Sequence, residues 1–116
     1  MIILSHRGYW KEISEKNQIK AFERSFKLNF GTETDIRDYK GNLVISHDIA
    51  NENCITVEDF LSVYNKYDNG LPLALNIKAD GLQAKLKSLL DDYGVTNYFV
   101  FDMSVPDGLR YLKQNI

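Results

Sequence analysis

The chain has 116 residues, 44% hydrophobic and 26% charged, with a formal net charge of -2. That is the profile of a single globular domain, with neither the polarity of a disordered segment nor an apolar run long enough to span a bilayer. The slightly acidic balance disfavours nucleic acid as a partner, and the lone thiol, Cys54, excludes an intrachain disulfide and suits a reducing, cytoplasmic setting.

At the amino terminus, "MIILSHRG" meets charge as soon as its short apolar run ends, so Ile2 to Leu4 reads as a first strand and not as a secretory leader. Ile19, Phe22, Phe26 and Phe30 then share one stripe of helical period. A polar-faced strand around Thr32 to Ile36 is followed by an apolar one, Leu43 to Ile45. The intervening "RDYKGN" is too short for a parallel crossover, which needs about a dozen residues, so these two strands are expected to form a hairpin turning near Lys40 and Gly41. Val57, Phe60, Leu61 and Tyr64 mark a second helix, opened by Thr56 with Glu58 and Asp59. "YNKYDNG" reads as its end and a turn, and Leu73 to Ile77 as the next strand. A third helical stripe, Leu82, Leu86, Leu89, Leu90 and Tyr93, runs from the candidate cap Asp80 to Gly94. The strand Tyr98 to Phe101 and a helix introduced by Ser104, Pro106 and Asp107 complete the order β, α, β, β, α, β, α, β, α. Strands alternating with covering helices predict an α/β protein with a parallel sheet.

Charge enters this apolar pattern in "GTETDIRDYKGNLVISHD", Gly31 to Asp48. A hairpin about Lys40 is expected to bring Glu33 opposite His47, with Asp35 on the same face. His6 and Arg7 end the first strand, and ligands of α/β sheets bind at the carboxyl rim. Carboxylates ~4 Å apart repel by about 4 kcal/mol at an effective dielectric near 20, so a cation or a proton must offset them. Oxygen ligands favour a hard divalent ion, Mg²⁺ or Ca²⁺, which in turn attracts phosphate, and two histidines beside it can act as general acid and general base. Other readings exist for individual residues. Glu33 and Asp35 also fit an edge strand guarded by charge, Lys78 a surface lysine, and Tyr9 and Trp10 a cover for the sheet edge. Cys54, in "ANENCIT" with no histidine near it in sequence, reads as a bystander.

Taken together, "HRGYW", "NQIKAFERSFKLNFG" and "TETDIRDYKGNLVISHD", with a weaker echo in "LPLALNIK", resemble the glycerophosphodiester phosphodiesterases, members of the phospholipase-C-like phosphodiesterase barrels. The resemblance implies that His6 and His47 are the catalytic acid-base pair, that Glu33 and Asp35 bind a divalent metal, and that Arg7 and Lys78 contact substrate phosphate. It implies a small phosphodiester substrate, cleaved to a glycerol phosphate and an alcohol. Two positions depart from the family pattern: Asn76 stands where a third acidic metal ligand is usual, and Lys16, in "KNQ", stands where Glu-Asn-Thr would begin. These departures keep open a non-catalytic phosphate-binding protein of the same fold, and beyond it a structural domain with no ligand. An eight-stranded closure takes ~250 residues, so residues 1–116 are expected to form one domain, the amino-terminal half of a TIM (β/α)8 barrel. Its open edge is expected to self-associate.

Overall fold

The computed structural model describes residues 3–67 and 70–113, so Ile2 and the expected turn at Asp68 and Asn69 lie outside the described residues. The elements follow the expected order, with one short 3-10 turn (Ile13–Glu15) added: β1 (Leu4–His6), α1 (Ile19–Lys27), β2 (Gly31–Tyr39), β3 (Asn42–Ile45), α2 (Val57–Asn65), β4 (Leu73–Ile77), α3 (Gln83–Asp92), β5 (Tyr98–Phe101) and α4 (Val105–Lys113). β1, β2, β4 and β5 lie side by side in that order, all parallel, and β3 pairs antiparallel with β2.

Local chemistry explains the boundaries. Lys40 and Gly41 both have positive φ, 49° and 84°, and link the paired residues Tyr39 and Asn42. A two-residue turn of this kind matches the twist of the flanking strands and fixes their register. Thr56 Oγ1 accepts the Asp59 N–H (3.0 Å) at the start of α2, and Ser104 Oγ accepts the Asp107 N–H (3.3 Å) in α4. Asp80 does not cap α3. Gly81, at φ 80°, turns the chain first, Leu82 takes the cap position, and the Asp80 carboxylate accepts the Ser104 hydroxyl instead, at 3.3 Å. Phe30 lies beyond α1 and stacks on Tyr9, with centroids 6.3 Å apart.

Alternation along the strands sends Ile36, Leu73, Leu75 and Ile77 into one buried cluster with Phe22, Phe26, Phe60, Tyr64, Leu86 and Leu90 from the helices. Edge-to-face contacts at 4.6 Å (Phe22 with Phe60) and 5.4 Å (Phe26 with Tyr64) tie α1 to α2. The opposite face carries the other set, in rows given by the strand register: His6, Glu33, Ala74 and Phe99 in one, Asp35, Asn76 and Phe101 in the next. At the two flanks of this face Leu4 and Phe99 are 42% and 52% exposed.

One feature of the pairing positions the site. β4 takes one edge of β2, so β1 and β3 share the other, end to end: β1 pairs with Gly31 to Glu33 and β3 with Ile36 to Tyr39. They run in opposite directions, so their carboxyl ends meet beside Thr34 and Asp35. There Arg7 N–H donates to Glu33 O (2.7 Å) and Ser46 N–H to Asp35 O (3.1 Å). This corrects the expected register: Ile36 faces Ile45, strand pairing stops there, and Glu33 is not opposite His47, which lies in the loop after β3. The two-residue turn dictates that offset, since a shift of one residue would move every β3 side chain to the wrong face.

Candidate active site at the carboxyl ends of the strands

Arg7 leaves β1 at φ 61° and is followed by Gly8 at φ 84°. A Cβ on Gly8 would lie 2.7 Å from Cβ of Ala21, so the chain can turn this closely onto α1 only with glycine there. The turn sets Arg7 Nε 3.1 Å from Oδ2 of Asp35, a carboxylate only 1% exposed. The pair lacks hydrogen-bond alignment, and Arg7 Nε has no other partner among the described residues, so it is held by charge. Oδ2 of Asp35 also accepts Nδ2 of Asn17 at 2.9 Å, while Oδ1 of Asn17 accepts the Thr34 hydroxyl at 2.7 Å. Asn17 is buried at φ 59°, a conformation that asparagine tolerates better than most residues. In the neighbouring row His6 Nε2 lies 3.4 Å from Glu33 Oε1.

Each acid of the Glu-x-Asp pair therefore faces a basic side chain, Arg7 for Asp35 and His6 for Glu33. The edge-strand reading of these acids is corrected as well, because β2 is paired on both sides at Thr32 and Glu33. His47 comes from the converging strand end. Arg37 Nη2 and Nε donate to its carbonyl at 2.9 and 3.3 Å, and Nη1 donates to the Lys78 carbonyl at 3.3 Å, so one guanidinium joins the ends of β3 and β4. The His47 ring approaches Asp48 Oδ1 at 3.1 Å, and Lys78 Nζ approaches Asp102 Oδ2 at 3.7 Å.

A cavity of about 460 Å³ opens between these strand ends, lined among others by Arg7, Lys16, Asn17, His47 and Cys54. The Arg7 side chain makes no hydrogen bond among the described residues and lines this cavity. Cys54, read as remote from histidine, shares this cavity with His47. Asn17, Arg37 and Asp102 were not read from sequence as site residues. Asn17 was visible within "KNQ", and Arg37 continues the Glu33–Asp35 alternation. Glu15, also unread, secures the loop carrying Trp10, Lys16 and Asn17. Its Oε1 accepts Arg24 Nη1 (2.6 Å) and the Lys11 N–H (2.8 Å), and the Arg24 guanidinium holds its carboxyl well below the usual range, at about 2.

Two atoms bear on a metal. Asp35 Oδ1 and Asn76 Oδ1 belong to register partners on β2 and β4, and both are buried acceptors without a donor among the described residues. Buried acceptors facing no donor fit an oxygen-ligated hard cation, and Glu33 stands one row away on the same face. The acid count is low: no cluster of three His, Cys, Asp or Glu side chains with metal-binding geometry occurs among the described residues. Asn76 contributes a neutral amide oxygen beside these acids.

The fold and this rim define an open half of a parallel α/β barrel, with acids, histidines and a guanidinium at the carboxyl ends of its strands. Two solved structures share that fold. A protein of Galdieria sulphuraria, provisionally named a glycerophosphodiester phosphodiesterase, superposes with a TM-score of 0.75 at 20% identity, and the alignment covers 98% of this chain and 60% of that one. The glycerophosphodiester phosphodiesterase of Agrobacterium tumefaciens gives a TM-score of 0.80 at 16% identity, over 98% and 62%. The resemblance read from the motifs is thus matched by a shared fold, and the chain spans about 60% of the length of these structures. No family model and no curated protein matches the sequence. No helix among the described residues is long and apolar enough to cross a membrane.

Proposed function

We propose that this chain carries the active-site rim of a metal-dependent phosphodiester hydrolase that cleaves a glycerophosphodiester-like substrate to a glycerol phosphate and an alcohol, in a cytoplasmic setting. The observation that carries this reading is the meeting of the β1 and β3 ends at Asp35, with Arg7 and His47 lining one cavity. Arg7 takes a non-bridging phosphate oxygen through its terminal nitrogens, with Asp35, itself held by Asn17, fixing the guanidinium. Lys78, anchored by Asp102, supplies a second contact. One of His6 and His47 accepts a proton from the attacking water as its oxygen bonds to phosphorus, while the other donates a proton to the alkoxide oxygen whose bond to phosphorus breaks, so the products are a phosphomonoester and a neutral alcohol. Glu33, Asp35 and Asn76 would hold Mg²⁺ or Ca²⁺, which when bound offsets charge on the phosphate oxygens.

A second reading has its own support. Arg7 and His6 already face the two acids, and Asn76 is neutral, which favours a phosphate-binding protein of this fold without turnover. Hydrolysis of bis(p-nitrophenyl) phosphate, measured across a titration of Mg²⁺ and Ca²⁺, separates the two. A hydrolase loses ~100-fold or more of its rate with His6→Ala or His47→Ala and loses activity on chelation. A binder shows no turnover, yet binds phosphate and loses that affinity with Arg7→Gln.

A further inference from the structure

The cavity beside Arg7 has a wall that hydrolysis itself does not use, and its composition points to the substrate's second half. Lys16 lines it and has no ion-pair partner among the described residues. Its ammonium lies over the ring of Trp10, 4.5 Å from the centroid, while Trp10 Nε1 donates to the His6 carbonyl at 3.0 Å. A lysine thus covers a face of the Trp10 ring, and no Phe, Tyr or Trp among the described residues lines the cavity itself. The remaining wall includes Gln18, Ser46, Asn51 and Asn53, groups that exchange hydrogen bonds with hydroxyls. Its one acid, Asp48, faces His47 at 3.1 Å.

We propose that this wall is the leaving-group subsite and that it selects an anionic, hydroxyl-rich alcohol, such as a phosphorylated polyol, against quaternary-ammonium head groups. The proposal rests on the hydrolase or binder reading of Arg7. Arg7 holds the phosphodiester, Lys16 meets a second anion on the departing alcohol, and the carboxamides bind its hydroxyls. A quaternary ammonium would instead meet the Lys16 charge, with no Phe, Tyr or Trp in the cavity lining to compensate. Lys16 stands where the resembling family has an acid, so this preference is a property of the chain's own sequence.

The test is binding to the full chain at low ionic strength, using glycerol 1,3-bisphosphate, phosphocholine and inorganic phosphate. Calorimetry gives affinities, and the emission of Trp10, the single tryptophan, reports on displacement of Lys16. The bisphosphate is expected to bind about tenfold or more tightly than phosphocholine and to change Trp10 emission. Lys16→Gln is expected to bring the two affinities together and Lys16→Glu to invert their order, with far-ultraviolet circular dichroism unchanged. Equal affinities for the two ligands, with inorganic phosphate still bound and still sensitive to Arg7→Gln, overturn this subsite while leaving the proposed function standing. Failure of all three ligands to bind overturns both.

Discussion

Asn17 is the residue whose replacement most directly tests how the site is held together. Its side chain bridges Asp35 and Thr34 at 2.9 and 2.7 Å, and its backbone sits at φ 59°. Asn17→Ala removes a hydrogen bond to a charged group, worth about 1.5–3 kcal/mol, and leaves the fully buried Thr34 hydroxyl without its acceptor, at about 1–3 kcal/mol. Alanine in the left-handed region adds about 1 kcal/mol more. These costs overlap through the shared asparagine, so a loss of about 3–5 kcal/mol is expected, a large share of a small domain's stability. Asn17→Gly relieves the backbone component and is expected to cost about 1 kcal/mol less than Ala. Thr34→Val in the Asn17→Ala background removes the orphaned hydroxyl and is expected to recover about 1 kcal/mol. Urea unfolding followed by circular dichroism measures all three. A loss below about 1 kcal/mol for Asn17→Ala, or a glycine variant less stable than the alanine one, would refute the assignment of Asn17 as the clamp on Asp35.

Glu15 gives a pH signature. Arg24 holds its carboxyl at about 2 against an ordinary 4.5, so the folded state gains from its ionisation above 4.5 and loses that gain as pH falls toward 2. Glu15→Gln is expected to flatten that part of an acid-melting curve, and identical curves for the two proteins would count against the latch. Asn76→Glu adds a third acid beside the orphaned Asp35 Oδ1 and is expected to raise the melting shift produced by Mg²⁺ or Ca²⁺. An unchanged or smaller shift would remove Asn76 from any cation site. Finally, Phe99, Val105, Leu109 and Leu112 are exposed at 52%, 79%, 57% and 70% along the β5 and α4 flank. Self-association through this edge is expected in sedimentation, and Phe99→Glu with Leu112→Lys is expected to give a monomer; a wild-type chain that sediments as a monomer at high concentration contradicts it.

Sequence determined what depends on neighbours along the chain. The hairpin at Lys40 and Gly41 needed only positive φ at two adjacent positions, the caps at Thr56 and Ser104 only a hydroxyl before amides, and the helices only a stripe of period 3.6. The boundaries of Leu73–Ile77 and Tyr98–Phe101 were legible because both are short, largely apolar runs, although only Leu73–Ile77 is buried throughout. The candidate residues were legible as motifs, but their partners were not. No local rule states that β1 and β3 abut along one edge of β2, yet that abutment brings Arg7 and His47 to one cavity, and it corrects the register assumed for Glu33. Nor could sequence reveal that Arg7 and Asn17 converge on Asp35, or that Arg37 joins the His47 and Lys78 carbonyls. Those are contacts between segments distant along the chain, fixed by the pairing of β1 and β3 along β2 beside Asp35. Only the packed fold decides which charge meets which.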